Sequence, residues 1–225
     1  MHLSGITRFT LVDMTSNILE NIERFVHQIT FIDEERKILL NLLSDSIYEQ
    51  LQQQKTISLA FICTHNSRRS HLAQMWFWLA CQRFGLTNIE CLSAGTEKTA
   101  LNDRIVDSAR RFGLTIQTKD RSTNPIYQLS SPLADQQLSL FSKKVEELPN
   151  SINKPMAIMV CDHASENCPY VNFKKVGHLH YVDPKYADDT IEESMVYDKT
   201  LQRIACEMIY LAEQLQQKVK KTDVH

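Results

Sequence analysis

The stretch Ile57-Ser58-Leu59-Ala60-Phe61-Ile62-Cys63-Thr64-His65-Asn66-Ser67-Arg68-Arg69-Ser70 decides how the chain is read. Its first six residues form a short apolar, partly β-branched run, the pattern of a buried strand. From Arg69 to Phe84 the spacing predicts a helix, stopped by Gly85, where a left-handed cap favours glycine. Between strand and helix lies C-x5-R-S, Cys63 to Ser70. A loop of this length curls so that successive backbone N–H groups converge on one tetrahedral oxyanion. The helix N-terminus adds partial positive charge. Arg69 can hold two anion oxygens through its planar fork. The same positive field favours the thiolate of Cys63, the form that attacks, and Ser70 can donate a hydrogen bond to it. The expected oxyanion-binding residues are therefore Thr64, His65, Asn66, Ser67, Arg68 and Arg69. Cys63, Arg69 and Ser70 are the expected catalytic ones. The competing reading is a strand-end cysteine in an ordinary basic loop.

Outward from this loop the periodicity alternates. Residues 15–54 read as helical, with Ile18, Ile22, Phe25, Val26 and Ile29 at three- and four-residue steps. A second stripe, Leu39, Leu42, Leu43, Ile47 and Leu51, follows Asp33, a candidate N-cap. Downstream, Ile89–Ser93 reads as a strand and Asp103–Phe112 as a helix closed by Gly113. Met156–Val160 and Leu179–Val182 read as a third and a fourth buried strand. Residues 120–155 are irregular, with Tyr127–Leu129 and Leu138–Phe141 as hairpin arms around Pro132. Thr190 and Glu193 have capping-box spacing. They open a long helix whose inner face carries Leu201, Ile204, Ala205, Met208, Leu211, Ala212 and Leu215. Strands alternating with helices predict a parallel α/β sheet. Ligands bind such sheets at the carboxyl ends of the strands, which here means Cys63, Cys161 and Asp183. The expected divisions are an N-terminal helical extension over 1–55, a catalytic domain over 56–218 with its 120–155 insertion, and a tail over 219–225.

Composition narrows the class further. The chain has 225 residues, 43% hydrophobic and 23% charged, which is ordinary for a globular protein. Lys plus Arg is 25 and Asp plus Glu 27, a net charge of −2. That balance lacks the basic field of a nucleic-acid binder. No apolar run approaches the roughly 18–20 residues that span a bilayer, and no secretion signal is legible near Met1. The six cysteines are accordingly expected as reduced thiols in a cytoplasmic protein. Cys81, Cys91 and Cys206 fall within helix or strand patterns and read as core.

Two further motifs join the loop: Ser93-Ala94-Gly95 after the second strand and Asp183-Pro184 after the fourth. Together they resemble the low-molecular-weight tyrosine phosphatases and the thioredoxin-coupled arsenate reductases that share their fold. The resemblance covers about residues 56–218. It implies a three-layer α/β sandwich around a four-stranded parallel sheet, with Asp183 protonating the leaving group. Cys161-Asp162-His163-Ala164-Ser165-Glu166-Asn167-Cys168-Pro169 is similar to the arsenate reductase branch, where one cysteine ends the third strand and another lies seven residues on, before proline. The branch implies a relay. Cys63 attacks arsenic, Cys161 then attacks the Cys63 sulfur and releases arsenite, and Cys168 attacks Cys161 to move the disulfide outward. A thioredoxin-like partner reduces it there. The pair also admits a reading as buried small hydrophobes, or as a metal site with His163. The second lacks the usual C-x2–4-C spacing, and neither a metal nor a cofactor is expected.

The sequence departs from that branch at His65, where arsenate reductases carry glycine, and at Arg68, where they carry a second cysteine. Tyr186, Asp188 and Asp189 follow the Asp-Pro pair in place of the paired residues of many phosphatases. The N-terminal helices and the insertion lie outside the minimal family domain and are expected to shape the rim or build a dimer interface. The expectation is an arsenate reductase acting on arsenate through Cys63, Cys161 and Cys168. The alternatives are a phosphoester phosphatase using Cys63, Arg69 and Asp183, and a non-catalytic oxyanion-binding protein.

Overall fold

The computed structural model describes residues 17–148, 154–167 and 173–222. The start of the expected extension (1–16), part of the insertion (149–153), the last tail residues (223–225), Cys168 and Pro169 lie outside them.

In chain order the helices are α1 (Ile18–Gln28), α2 (Glu34–Gln53), α3 (Arg69–Phe84), α4 (Asp103–Arg111), α5 (Asp162–Asn167) and α6 (Glu193–Thr222). The strands are β1 (Ile57–Cys63), β2 (Ile89–Gly95), β3 (Thr115–Gln117), β4 (Tyr127–Ser130), β5 (Leu138–Leu140), β6 (Met156–Met159) and β7 (Lys174–His178). Strands β2, β1, β6 and β7 form a four-stranded parallel sheet in that order, flanked by helices. Leu59 through Ile62 are fully buried, as a central parallel strand requires. The winding reverses at β1, with β2 on one side and β6 on the other. In sheets of this order the crevice at the switch point is the ligand site. Strand β1 ends there with Cys63, opposite Gly95 of β2.

The caps follow the residues that sequence logic favours. Asp33 accepts from the Arg36 amide at 2.7 Å, and Gly85 adopts φ 72° behind α3. At the start of α6 the arrangement differs from a capping box. The Thr190 hydroxyl donates to Ala187 O, and the Glu193 carboxylate takes the Asp189 amide at 2.6 Å.

Further expectations change. The buried apolar face of α2 is Leu40, Leu43 and Ile47, while Leu39 and Leu42 of the expected stripe are exposed. The fourth strand is Lys174–His178, not Leu179–Val182. Leu179 and Tyr181 do point into the core, but their amides bond Met159 O and Val160 O beyond the end of the ladder. The 120–155 stretch is only partly irregular: β4 and β5 form the expected hairpin, and β3 joins them in an antiparallel sheet of order β3-β4-β5. The tail expected from residue 219 is, through Thr222, the final turn of α6.

Residue 55 separates sequence periods rather than packing units. Ile18, Ile22, Phe25, Leu40 and Ile47 belong to the same buried cluster as β1 and α6. Phe25 meets Trp76 edge-on at 5.2 Å. Arg36 is buried and paired with Glu207 at 2.7 Å, and Glu207 also accepts from Tyr181 Oη at 2.6 Å. Among the described residues no helix is long and apolar enough to cross a membrane.

Candidate functional site

The loop after β1 is held by its outward-facing carbonyls. Cys63 O accepts from the Thr96 amide at 3.2 Å, Thr64 O from the Glu97 amide at 2.8 Å, and Ser67 O from the Asn102 amide at 3.0 Å. His65 O accepts from the hydroxyls of Thr99 and Ser142 at 3.0 and 3.1 Å. Because each trans peptide is planar, a carbonyl turned outward turns the following N–H the other way. The amides of 64, 65, 66 and 68 thereby point away from the outer partners of those carbonyls, the orientation an oxyanion cradle needs.

The turn of this loop is made at Asn66, the loop residue with positive φ (44°). His65, which stands where the arsenate reductases carry glycine, is not among the residues with positive φ. Asparagine is among the few side chains that tolerate the left-handed region. Its amide group is anchored at both ends: Nδ2 donates to Ser70 Oγ at 2.9 Å, and Oδ1 accepts from the Lys143 amide at 2.8 Å.

Lys143, in the insertion, has no role legible in the sequence. Its Nζ donates to Ser93 O and Phe141 O and sits 4.2 Å from the Phe141 ring. Burial lowers its pKa to about 8. His71, on the first turn of α3, is fully buried, and desolvation with the Lys143 charge drives it down to about 3, so it stays neutral.

Gly95 closes the Ser93-Ala94-Gly95 motif against the loop. A Cβ there would lie 2.5 Å from Glu97 O and 2.7 Å from both Asn66 N and Thr64 O. All three are backbone atoms and none can swing aside. Gly95→Ala is expected to destabilise the protein by about 1–3 kcal/mol, the range for overpacking, and to weaken inorganic phosphate binding. Unchanged thermal unfolding and phosphate affinity would show that the approach is not tight.

Cys63 is buried, with Sγ 3.1 Å from Ser70 Oγ. Arg69 opens α3, and its guanidinium donates to Tyr181 O at 3.0 Å and to Asp183 Oδ2 at 2.7 Å. Its Nε is buried without a hydrogen-bond partner. A buried orphan donor is costly, and an oxyanion in the cradle is a fitting acceptor. Asp183 caps the 3-10 turn Pro184–Ala187, taking the Lys185 amide on Oδ1. Cys63, His65, Ser67, Arg68, Arg69 and Asp183 line one cleft.

Arg68 does not leave its charge free at the mouth. Its Nε donates to Tyr197 Oη at 2.7 Å and its Nη2 to Asp188 Oδ2 at 2.9 Å. Asp188, which stands after the Asp-Pro pair, is thus a structural partner of the loop. Asp189 takes Arg104 at 2.6 Å, and Tyr186 is exposed. The His65 ring faces Glu97 at 3.3 Å.

Cys161 follows β6 and is buried. Its Sγ lies 3.5 Å from Thr64 Oγ1 and accepts from the Ala164 amide at 3.4 Å. His163 Nδ1 lies 3.4 Å from the same Thr64 hydroxyl. The five described cysteines, Cys63, Cys81, Cys91, Cys161 and Cys206, are free thiols, and Cys81, Cys91 and Cys206 are core residues.

A thiol, inward amides and an arginine around one cleft suit a tetrahedral oxyanion. The family model "Low molecular weight phosphotyrosine protein phosphatase" matches residues 58–221, and the chain belongs to that family of enzymes. No curated protein matches it. Among solved structures, a low-molecular-weight phosphotyrosine phosphatase from Vibrio cholerae O395 is 17% identical, covers 71% of this chain and 97% of its own, and overlays with a TM-score of 0.48. A low-molecular-weight protein tyrosine phosphatase from Bacillus subtilis is 17% identical, with 75% and 100% covered and a TM-score of 0.40. A thioredoxin-dependent arsenate reductase from Corynebacterium glutamicum is 12% identical, with 83% and 92% covered and a TM-score of 0.37. Overlaps this loose do not distinguish one activity from another.

Proposed function

We propose that the protein reduces arsenate to arsenite, with Cys63 as nucleophile and Cys161 and Cys168 as relay thiols. The observation that carries this reading is the buried Cys161 thiol beside the loop, 3.5 Å from Thr64 Oγ1. Phosphoester hydrolysis has no use for a second thiol there.

In this reading the inward amides and Arg69 bind arsenate. The Cys63 thiolate, hydrogen-bonded by Ser70, attacks arsenic, and a hydroxyl group of the hydrogen arsenate leaves as water with a proton from Asp183. Cys161 then attacks the Cys63 sulfur. The sulfur–arsenic bond breaks and its electron pair stays on arsenic, which departs as arsenite. Two thiols have been oxidised to one disulfide and arsenic has been reduced by two electrons. Cys168 attacks Cys161 and frees Cys63, and a thioredoxin-like dithiol reduces the resulting disulfide.

A phosphatase is the second reading. It is favoured by Asp183, whose carboxylate shares the cleft with Cys63 and is partly exposed. The deciding experiment assays purified protein side by side for arsenate reduction with a thioredoxin system and for aryl-phosphate hydrolysis. We expect both activities. Asp183→Asn should slow esters with poor leaving groups by about 10²–10⁴-fold, the usual contribution of a general acid, and good leaving groups far less. Hydrolysis without any arsenate reduction gives the assignment to the phosphatase. Equal losses on good and poor leaving groups remove Asp183 as the acid.

A further inference from the structure

Away from the cleft, Asp162, His178 and His180 bring three ligand atoms within 4.8 Å of one another. Asp162 is the first residue of α5, His178 ends β7, and His180 lies two residues further on. Asp162 Oδ1 is 2.9 Å from His180 Nδ1 and 3.3 Å from His178 Nε2. The two rings stand nearly perpendicular, with centroids 6.3 Å apart, so their nitrogens approach one carboxylate oxygen from different directions.

We propose that Asp162, His178 and His180 form a binding site for a divalent cation of the zinc class. Zinc bonds to imidazole nitrogen and carboxylate oxygen are about 2.0–2.2 Å long. Tetrahedral angles then separate neighbouring ligand atoms by about 3.3 Å, close to the two separations found here. Two imidazoles and one carboxylate suit a borderline metal rather than magnesium or calcium, which take oxygen. The side chains are partly or largely exposed, which leaves an entry path and a fourth position for water. Cys161, the residue before Asp162, is turned instead to Thr64 and to the Ala164 amide.

A cation here fastens the start of α5 to the end of β7, on either side of the segment that carries Cys168. The binding claim stands whichever anion the cleft takes. The competing account is that two imidazoles share one carboxylate through hydrogen bonds alone, with no affinity for metal.

Titration of the reduced, full-length protein with Co²⁺ alone, followed by visible absorption, separates the two. We expect one equivalent bound with a nitrogen- and oxygen-ligand spectrum and no thiolate-to-cobalt charge-transfer band, with Zn²⁺ displacing it. His180→Ala and His178→Ala should each weaken binding at least tenfold, since even partners behind metal ligands contribute about 10–100-fold. Both side chains are partly exposed, and retained thermal unfolding of each variant shows that the fold survives. No binding, a thiolate band, or unchanged affinity in both variants overturns the proposal.

Discussion

Cys63→Ser should abolish arsenate reduction and aryl-phosphate hydrolysis together, by a factor on the order of 10⁶, the scale found when a covalent nucleophile is removed. Serine is close in size, so the buried position at the end of β1 is not emptied. The hydroxyl stays protonated where the thiol can ionise, and attack fails. Binding should survive. The outward carbonyls of Cys63, Thr64, His65 and Ser67 are held by Thr96, Glu97, Asn102, Thr99 and Ser142, and none of these bonds uses the sulfur. Calorimetric titration with inorganic phosphate should therefore give an affinity within a few-fold of the native one. Loss of binding along with turnover would mean that the sulfur shapes the cradle. Substantial residual turnover in either assay would mean that another group attacks.

Features that depend on neighbours in sequence are legible in it. Strand β1, the C-x5-R-S loop, the Asp33 cap and the Gly85 stop are each contained in a few consecutive residues. The fourth strand is misplaced by its pattern because Lys174–His178 pairs with β6 alone, at the sheet edge. An edge strand needs no continuous apolar run, whereas the buried Leu179 and Tyr181 just beyond it mimic one. The left-handed residue Asn66 is not legible in the loop alone, because one of the two anchors of its side chain, the Lys143 amide, comes from a distant part of the chain. Helix α1 shows its apolar stripe but not its partners, whereas α2 carries apolar residues all round, so that Leu39 and Leu42 read as inner while Leu40 is the buried one. Phe25 against Trp76, and Arg36 against Glu207, are contacts between residues far apart in the chain. In the Asp162, His178 and His180 cluster only the His178-x-His180 spacing is local, and Asp162 is brought to it by the parallel pairing of β6 with β7, with a register shift between Ala157 and Ile158.

Cys161→Ser should abolish arsenate reduction and leave aryl-phosphate hydrolysis within about twofold, because no step of ester cleavage in the second reading uses that sulfur. Strand pairing sets Cys161 beside the loop that follows β1, against Thr64. Ile62 is opposite Met159, and the Val160 amide donates to Ile62 O at 2.8 Å. Continued by one residue, that register sets Val160 opposite Cys63, and Cys161 lies against Thr64, so the Cys161 side chain must turn from Thr64 to reach Cys63 at the roughly 4.4–6.8 Å Cα separation of a disulfide. The second exchange differs. Helix α5 fills the interval between Cys161 and Cys168. Six helical residues rise about 9 Å, more than the Cα separation of a disulfide, so closing that pair should unwind α5. Cys168→Ser should then permit one turnover and trap the Cys63–Cys161 disulfide. Thiol mapping by mass spectrometry after arsenate treatment reads each species. Amide exchange across 161–167 should rise in the oxidised wild type, because the α5 hydrogen bonds are lost. If wild-type protein forms no Cys161–Cys168 disulfide and Cys161→Ser reduces arsenate at the native rate, the relay is wrong and the cleft belongs to a phosphatase.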